Sequence, residues 1–244
     1  YRTRSTGVAL GHDVCSKDHL SRYGAYVGYR NTDVVSRHTA ALHSADTRLL
    51  QVGLYGDRVV AENQDIDWQV GYGRGFVKGA RTLSYLGYQA KSQYDANIAY
   101  AGVGYNWRGD VVSPFVRFDY TYVRSDAYHE TGAGGFNYDV AAQTRHSGVA
   151  SLGYQFKGHP TESLTLRGRV ALGVELLNEH NTIRAAFEGI PGATFDTRSA
   201  EDERVQATLD FGLRYRVTKS VDVDLGYQAL FKPDYTQQTG EARL

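Results

Sequence analysis

Residues 205–231 read VQATLDFGLRYRVTKSVDVDLGYQALF, and the alternation in this stretch decides the fold. Val205, Ala207, Leu209, Phe211, Leu213 and Tyr215 alternate with Gln206, Thr208, Asp210, Gly212, Arg214 and Arg216. After a break at Thr218-Lys219-Ser220, Val221, Val223, Leu225, Tyr227, Ala229 and Phe231 alternate with Asp222, Asp224, Gly226 and Gln228. A period of two means strand, with the apolar groups on one face. The other face carries charges and glycine. Each strand runs to about a dozen residues, against ~5–6 in ordinary soluble sheets. Long strands of this dyad pattern, joined by a tight turn, suit a barrel in a bilayer, apolar side to lipid and polar side to a lumen.

The same pattern recurs outward from this hairpin. Strands are predicted at 4–14, 22–36, 46–59, 66–76, 96–107, 114–125, 144–156 and 163–178, and a further one begins at 239–244. Within them Val8, Leu10, Val27, Leu50, Val52, Val70, Val116, Phe118, Leu152 and Leu172 take the apolar side. The breaks near 15–21, 61–65, 108–113, 157–162 and 218–220 are short. Those near 37–45, 77–95, 126–143 and 179–203 are long, and 232–238 is intermediate. Short and long connections alternate, as the periplasmic turns and external loops of outer-membrane barrels do. That asymmetry places the short-turn side, with Cys15, in the periplasm. The expected fold is therefore an all-β, antiparallel transmembrane β-barrel occupying residues 1–244 as one domain.

Composition agrees. The 27 basic and 27 acidic residues cancel, so nothing points to a nucleic-acid partner. No run approaches the ~18 apolar residues of a membrane helix, but a β-span needs only ~10 alternating ones. Four prolines break few ladders, and 19 tyrosines supply amphipathic rings for membrane interfaces. Cys15 is the only cysteine, which excludes an intrachain disulfide and a thiolate metal cluster. Most strand glycines, Gly53, Gly71, Gly104 and Gly212 among them, fall on the polar face. They either clear a lumen for something that fills it or reflect crowding on a concave wall.

Several stretches resemble the C-terminal translocator domain of autotransporters, the type V secretion proteins of Gram-negative bacteria. They are VALGHDV (8–14), LSRYGAYVGYRNTDV (20–34), DWQVGYGRG (67–75), SPFVRFDYTYVRSDAYHE (113–130) and GVELLNEHNTIRAAFEGIPGATFDT (173–197). The resemblance implies a barrel of about 12 strands whose lumen holds a linker helix leading to an N-terminal passenger. It implies outer-membrane lipid and the barrel assembly machinery as partners, a monomer, no cofactor and no enzymatic activity of the barrel. The family pattern places a first strand and the linker before Tyr1 and an aromatic end to the last strand, so both ends are expected to be trimmed.

By parity Asp57, Asp67, Arg117, Asp119, Arg167, Arg169, Glu175, Asp210, Arg214, Arg216, Asp222 and Asp224 project inward as pore-lining residues. Mixed in sign, they read as a hydrated lumen network rather than a catalytic set. His43 with Asp46, beside Ser44, and His129 with Glu130 fall in or next to external loops, where a surface protease or lipid hydrolase could place an acid/base pair. Solvated loop charge is the better account of them, because loops are normally polar and exposed. No HExxH, P-loop, nucleophile elbow or metal-ligand spacing occurs, so no catalytic or metal residue is assigned. The expected function is an outer-membrane translocator that anchors and exports a passenger to the cell surface. The alternatives are a passive porin or adhesin barrel and an outer-membrane hydrolase.

Overall fold

A computed structural model describes residues 1–36, 42–177, 182–190, 192–198, 204–218 and 221–243. The chain forms β1 (Arg2–Cys15), β2 (Ser21–Val35), β3 (Leu42–Ala61), β4 (Gln64–Leu83), β5 (Tyr88–Trp107) and β6 (Val112–Ser125). Next come the short strands β7 (Tyr128–His129) and β8 (Tyr138–Val140), then β9 (Gln143–Thr161) and β10 (Leu164–Glu175). The remainder is β11 (Thr182–Phe187), β12 (Thr194–Arg198), β13 (Val205–Arg216), β14 (Asp222–Lys232) and β15 (Tyr235–Arg243).

Eleven of these make one curled antiparallel sheet in the order β1-β2-β3-β4-β5-β6-β9-β10-β13-β14-β15. Each predicted strand has its counterpart in it. The ladder is not closed between β1 and β15 among the described residues. Leu10, Leu152 and Leu172 are 76%, 61% and 60% exposed, and no large side chain is fully buried among the described residues. A water-soluble domain buries such groups. A continuous apolar outer surface is what lipid requires.

Contacts between non-neighbouring strands identify the concave side. Tyr26 of β2 meets Tyr100 of β5, Gln155 of β9 donates to Asn106 of β5 at 2.9 Å, and Arg167 of β10 pairs with Asp224 of β14. All lie on the polar face, so the sheet curls toward its charges.

The connections differ from expectation at three places. Residues 77–95 are not a long loop: β4 and β5 stay paired from Gln64↔Trp107 to Leu83↔Tyr88, leaving only Ser84–Gly87 as a turn. Gly87 closes it with φ of 67°, a conformation glycine adopts freely. The final strand begins at Tyr235, and Pro233-Asp234 is a two-residue turn rather than an intermediate loop. The long connections are also structured, because β7, β8, β11 and β12 build a second, four-stranded sheet. The expected breaks 37–45, 179–203 and 218–220 include residues 37–41, 179–181, 191, 199–203 and 219–220, which lie outside the described residues. β3, β4 and β5 are each 20 residues long, about twice what a bilayer crossing needs, so they project beyond it on the long-loop side.

Candidate functional site

The polar face is built by register. Asp67 of β4 stands opposite Gly104 of β5, which stands opposite Arg117 of β6. With no side chain on Gly104, Arg117 reaches Asp67 across the intervening strand and also donates to Asp119 at 2.8 Å. Asn106 donates to Asp67 at 3.0 Å. The second node repeats the device. Arg167 and Arg214 converge on Asp224, the latter at 3.0 Å, with Arg167 passing over Gly212 of β13. Arg216 lies 3.7 Å from Asp222, and Arg22 lies 2.9 Å from Asp57.

Three of the expected pore residues behave differently. Arg169 has its guanidinium over the Phe115 ring, 4.0 Å from the centroid, a cation–π contact rather than an ion pair. Asp210, its register partner, has a buried Oδ1 with no hydrogen-bond partner. Glu175 is buried and accepts from the Gly148 N–H at 2.6 Å, the Ser147 hydroxyl at 2.5 Å and the Leu177 N–H at 3.3 Å. It ties off the ladder at the end of β10. Arg167, Arg169, Asp210, Asp224, Gln228 and Glu241 share a cavity of about 690 Å³.

The glycines of this face are occupied space. Tyr26, Gly53, Gly71 and Tyr100 are consecutive register partners across β2 to β5, and the two tyrosine hydroxyls meet above the two glycines. A Cβ on Gly71 overlaps the Tyr100 ring, and one on Gly24 overlaps Tyr55. Of the two readings open at the sequence level, crowding on the concave wall accounts for these positions.

A second cluster, absent from the sequence reading, lies on the long-loop side. Arg81 near the end of β4 and Glu130 after β7 are each 6% exposed and paired at 2.5 Å. Arg81 also donates to the Phe136 carbonyl at 2.8 Å and lies 3.8 Å over the Tyr138 ring. Glu130 accepts from the Tyr138 N–H at 3.0 Å. Tyr94 stacks on Tyr128 at 4.4 Å, and Tyr138 meets Phe187 and Phe195 edge-to-face while those two rings lie tilted against each other. Residues 77–95 carry no apolar alternation that would have found it, since Arg81 and Ser92 share one face with Val77 and Ala90.

The acid/base pairs offered by the sequence do not converge. Glu130 turns inward to Arg81, while His129 on the opposite side bonds Asp139 at 2.7 Å and lies 3.6 Å from Glu188. The Asp139 hydrogen bond holds the His129 imidazole above its ordinary pKa. His43 and Asp46, three residues apart on a strand, take opposite faces, and Asp46 lies 3.6 Å from Arg48. No group of three His, Cys, Asp or Glu side chains among the described residues could hold a metal ion.

An apolar exterior, a charged concave interior and a one-sided loop cap define an outer-membrane β-barrel of the Gram-negative type. The family model described as "Autotransporter beta-domain" matches residues 1–228, and the chain belongs to that family. It is similar to the translocator domain of autotransporter NalP from Neisseria meningitidis, with TM-score 0.77 and 13% identity, covering 98% of this chain and 78% of that one. The beta domain of the Bordetella autotransporter BrkA gives TM-score 0.63 and 14% identity over 98% of this chain and 88% of that one. The Pseudomonas putida toluene transporter TodX shares the fold with TM-score 0.57 and 10% identity, over 95% and 74%. No curated protein matches the chain.

Proposed function

We propose that this barrel exports an N-terminal passenger to the cell surface, led by a linker helix in the lumen. The observation that carries the reading is the family match over residues 1–228, joined to 98% coverage of this chain by a translocator domain. In it residues 1–244 act as one translocator domain, a monomer inserted by the barrel assembly machinery, with the short turns in the periplasm. Asp57, Asp67, Arg117, Asp119, Arg167, Arg169, Asp210, Arg214, Arg216, Asp222 and Asp224 line the hydrated lumen, with Glu175 buried at the end of β10.

Such a wall suits passage of a polypeptide. Its charges are largely satisfied by one another, so they wet the lumen without gripping a moving chain. The test places an epitope-tagged reporter passenger and linker upstream of the barrel in a Gram-negative host. Protease added to intact cells should remove the tag, and the barrel should show the heat-modifiable gel shift of a folded β-barrel. A folded barrel whose tag stays protected in the periplasm rejects export. Steady conductance of the linker-bearing protein in a planar bilayer would favour the passive channel instead.

A further inference from the structure

The lipid-facing series of β4 continues past the apolar band. It runs Trp68, Val70, Tyr72, Arg74, Phe76, Lys78, Ala80, and Arg74 is neutralised by Asp95 at 2.6 Å. Phe76, 47% exposed, is the last exposed aromatic of that series. Lys78 follows two residues later, roughly 5 Å farther from the bilayer midplane at the rise and tilt of a barrel strand. Lys91 of β5 is the register partner of Ala80 and faces the same way.

Both lysines are exposed, and neither forms an ion pair among the described residues. Asp46 stands opposite Lys78 in the ladder, but its carboxylate lies by Arg48 at 3.6 Å. Thr131 bridges Lys91 and brings the β7 segment alongside. Lys78, Ala80, Lys91, Gln93, His129 and Thr131 line a cavity of about 440 Å³. His129 is engaged by Asp139 and forms wall, which leaves the two ammonium groups with an amide and a hydroxyl. Cationic and neutral donors in one recess, facing lipid just above the apolar band, match a phosphate monoester held at headgroup depth.

We propose that this recess binds the phosphate of a lipid headgroup in the leaflet at the long-loop end, with Lys78 and Lys91 as its cationic contacts. The site depends on the barrel lying in a bilayer and is independent of export.

Native mass spectrometry of the whole folded chain in detergent tests this. The probes are bis-phosphorylated lipid A, its dephosphorylated form, phosphatidylcholine and inorganic phosphate. Retention of the phosphorylated lipid is expected, weakened roughly 10- to 30-fold in the K78Q/K91Q double variant. K78R/K91R should retain it, and R58Q, at the other end of β3, should leave it unchanged. Equal binding of the dephosphorylated lipid, or an unaltered K78Q/K91Q protein, overturns the proposal. Displacement of the lipid by inorganic phosphate at comparable concentration also overturns it, since the recess would then be a free-anion site. If the double variant does not fold, acetylation of the wild-type protein decides. Lys78 and Lys91 should be protected by the phosphorylated lipid, and an absence of protection rejects the site.

Discussion

At the scale of single residues, the protein stabilises its concave wall by letting one strand's side chain use the space a neighbouring glycine leaves. Gly71 under Tyr100 makes the point testable. In G71A the added methyl forces the ring off its seat and away from Tyr26, which should cost about 1–3 kcal/mol as other overpacked sites do. The midpoint of the heat-modifiable gel shift reports it, and G240A, with open space around its Cα, should leave that midpoint unchanged. The Arg81–Glu130 pair is the other sensitive point. Removing one member strands a buried charge, so R81A should cost roughly 3–5 kcal/mol of cap stability, measured by limited proteolysis at 126–142. Equal digestion of variant and wild type would show that the pair is dispensable.

At the scale of strands, the outer face tolerates apolar groups and little else. L172K should impair insertion by about 2–4 kcal/mol, whereas T208K, on the polar face of the neighbouring strand, should be mild. Urea unfolding from vesicles measures both, and equal costs would overturn the face assignment. The β7–β8 pairing carries a pH dependence through His129. Its pKa is raised in the fold, so the imidazolium bond to Asp139 contributes fully below the ordinary value of 6.5 and is lost as pH rises through the elevated one. Amide protection at 128–140, taken relative to the intrinsic base-catalysed exchange rate, should therefore fall toward alkaline pH, and H129Q should abolish that trend. Strand number, faces and most turns were legible from periodicity, because every span repeats one pattern against lipid. The loop cap was not. Its strands are only two to six residues long, and Arg81 and Glu130 are separated by 49 positions, so nothing local announces their meeting.

At the scale of the molecule, the sheet presents two margins, β1 and β15, that are unpaired among the described residues. Lipid offers no partner to a bare N–H or C=O, so a spanning sheet must satisfy both margins by closure, directly or through another strand. In vesicle-inserted protein the amides of both should exchange as slowly as those of β4. Exchange as fast as in the turns would mean the assembly is open in the membrane. The solitary thiol near one margin offers a further use. Cys15 ends β1 at the mouth of the first short turn and is solvent-accessible. The native protein thus carries its own compass: a membrane-impermeant maleimide applied to living cells, then to lysed ones, reports which compartment that mouth opens into without altering a single codon.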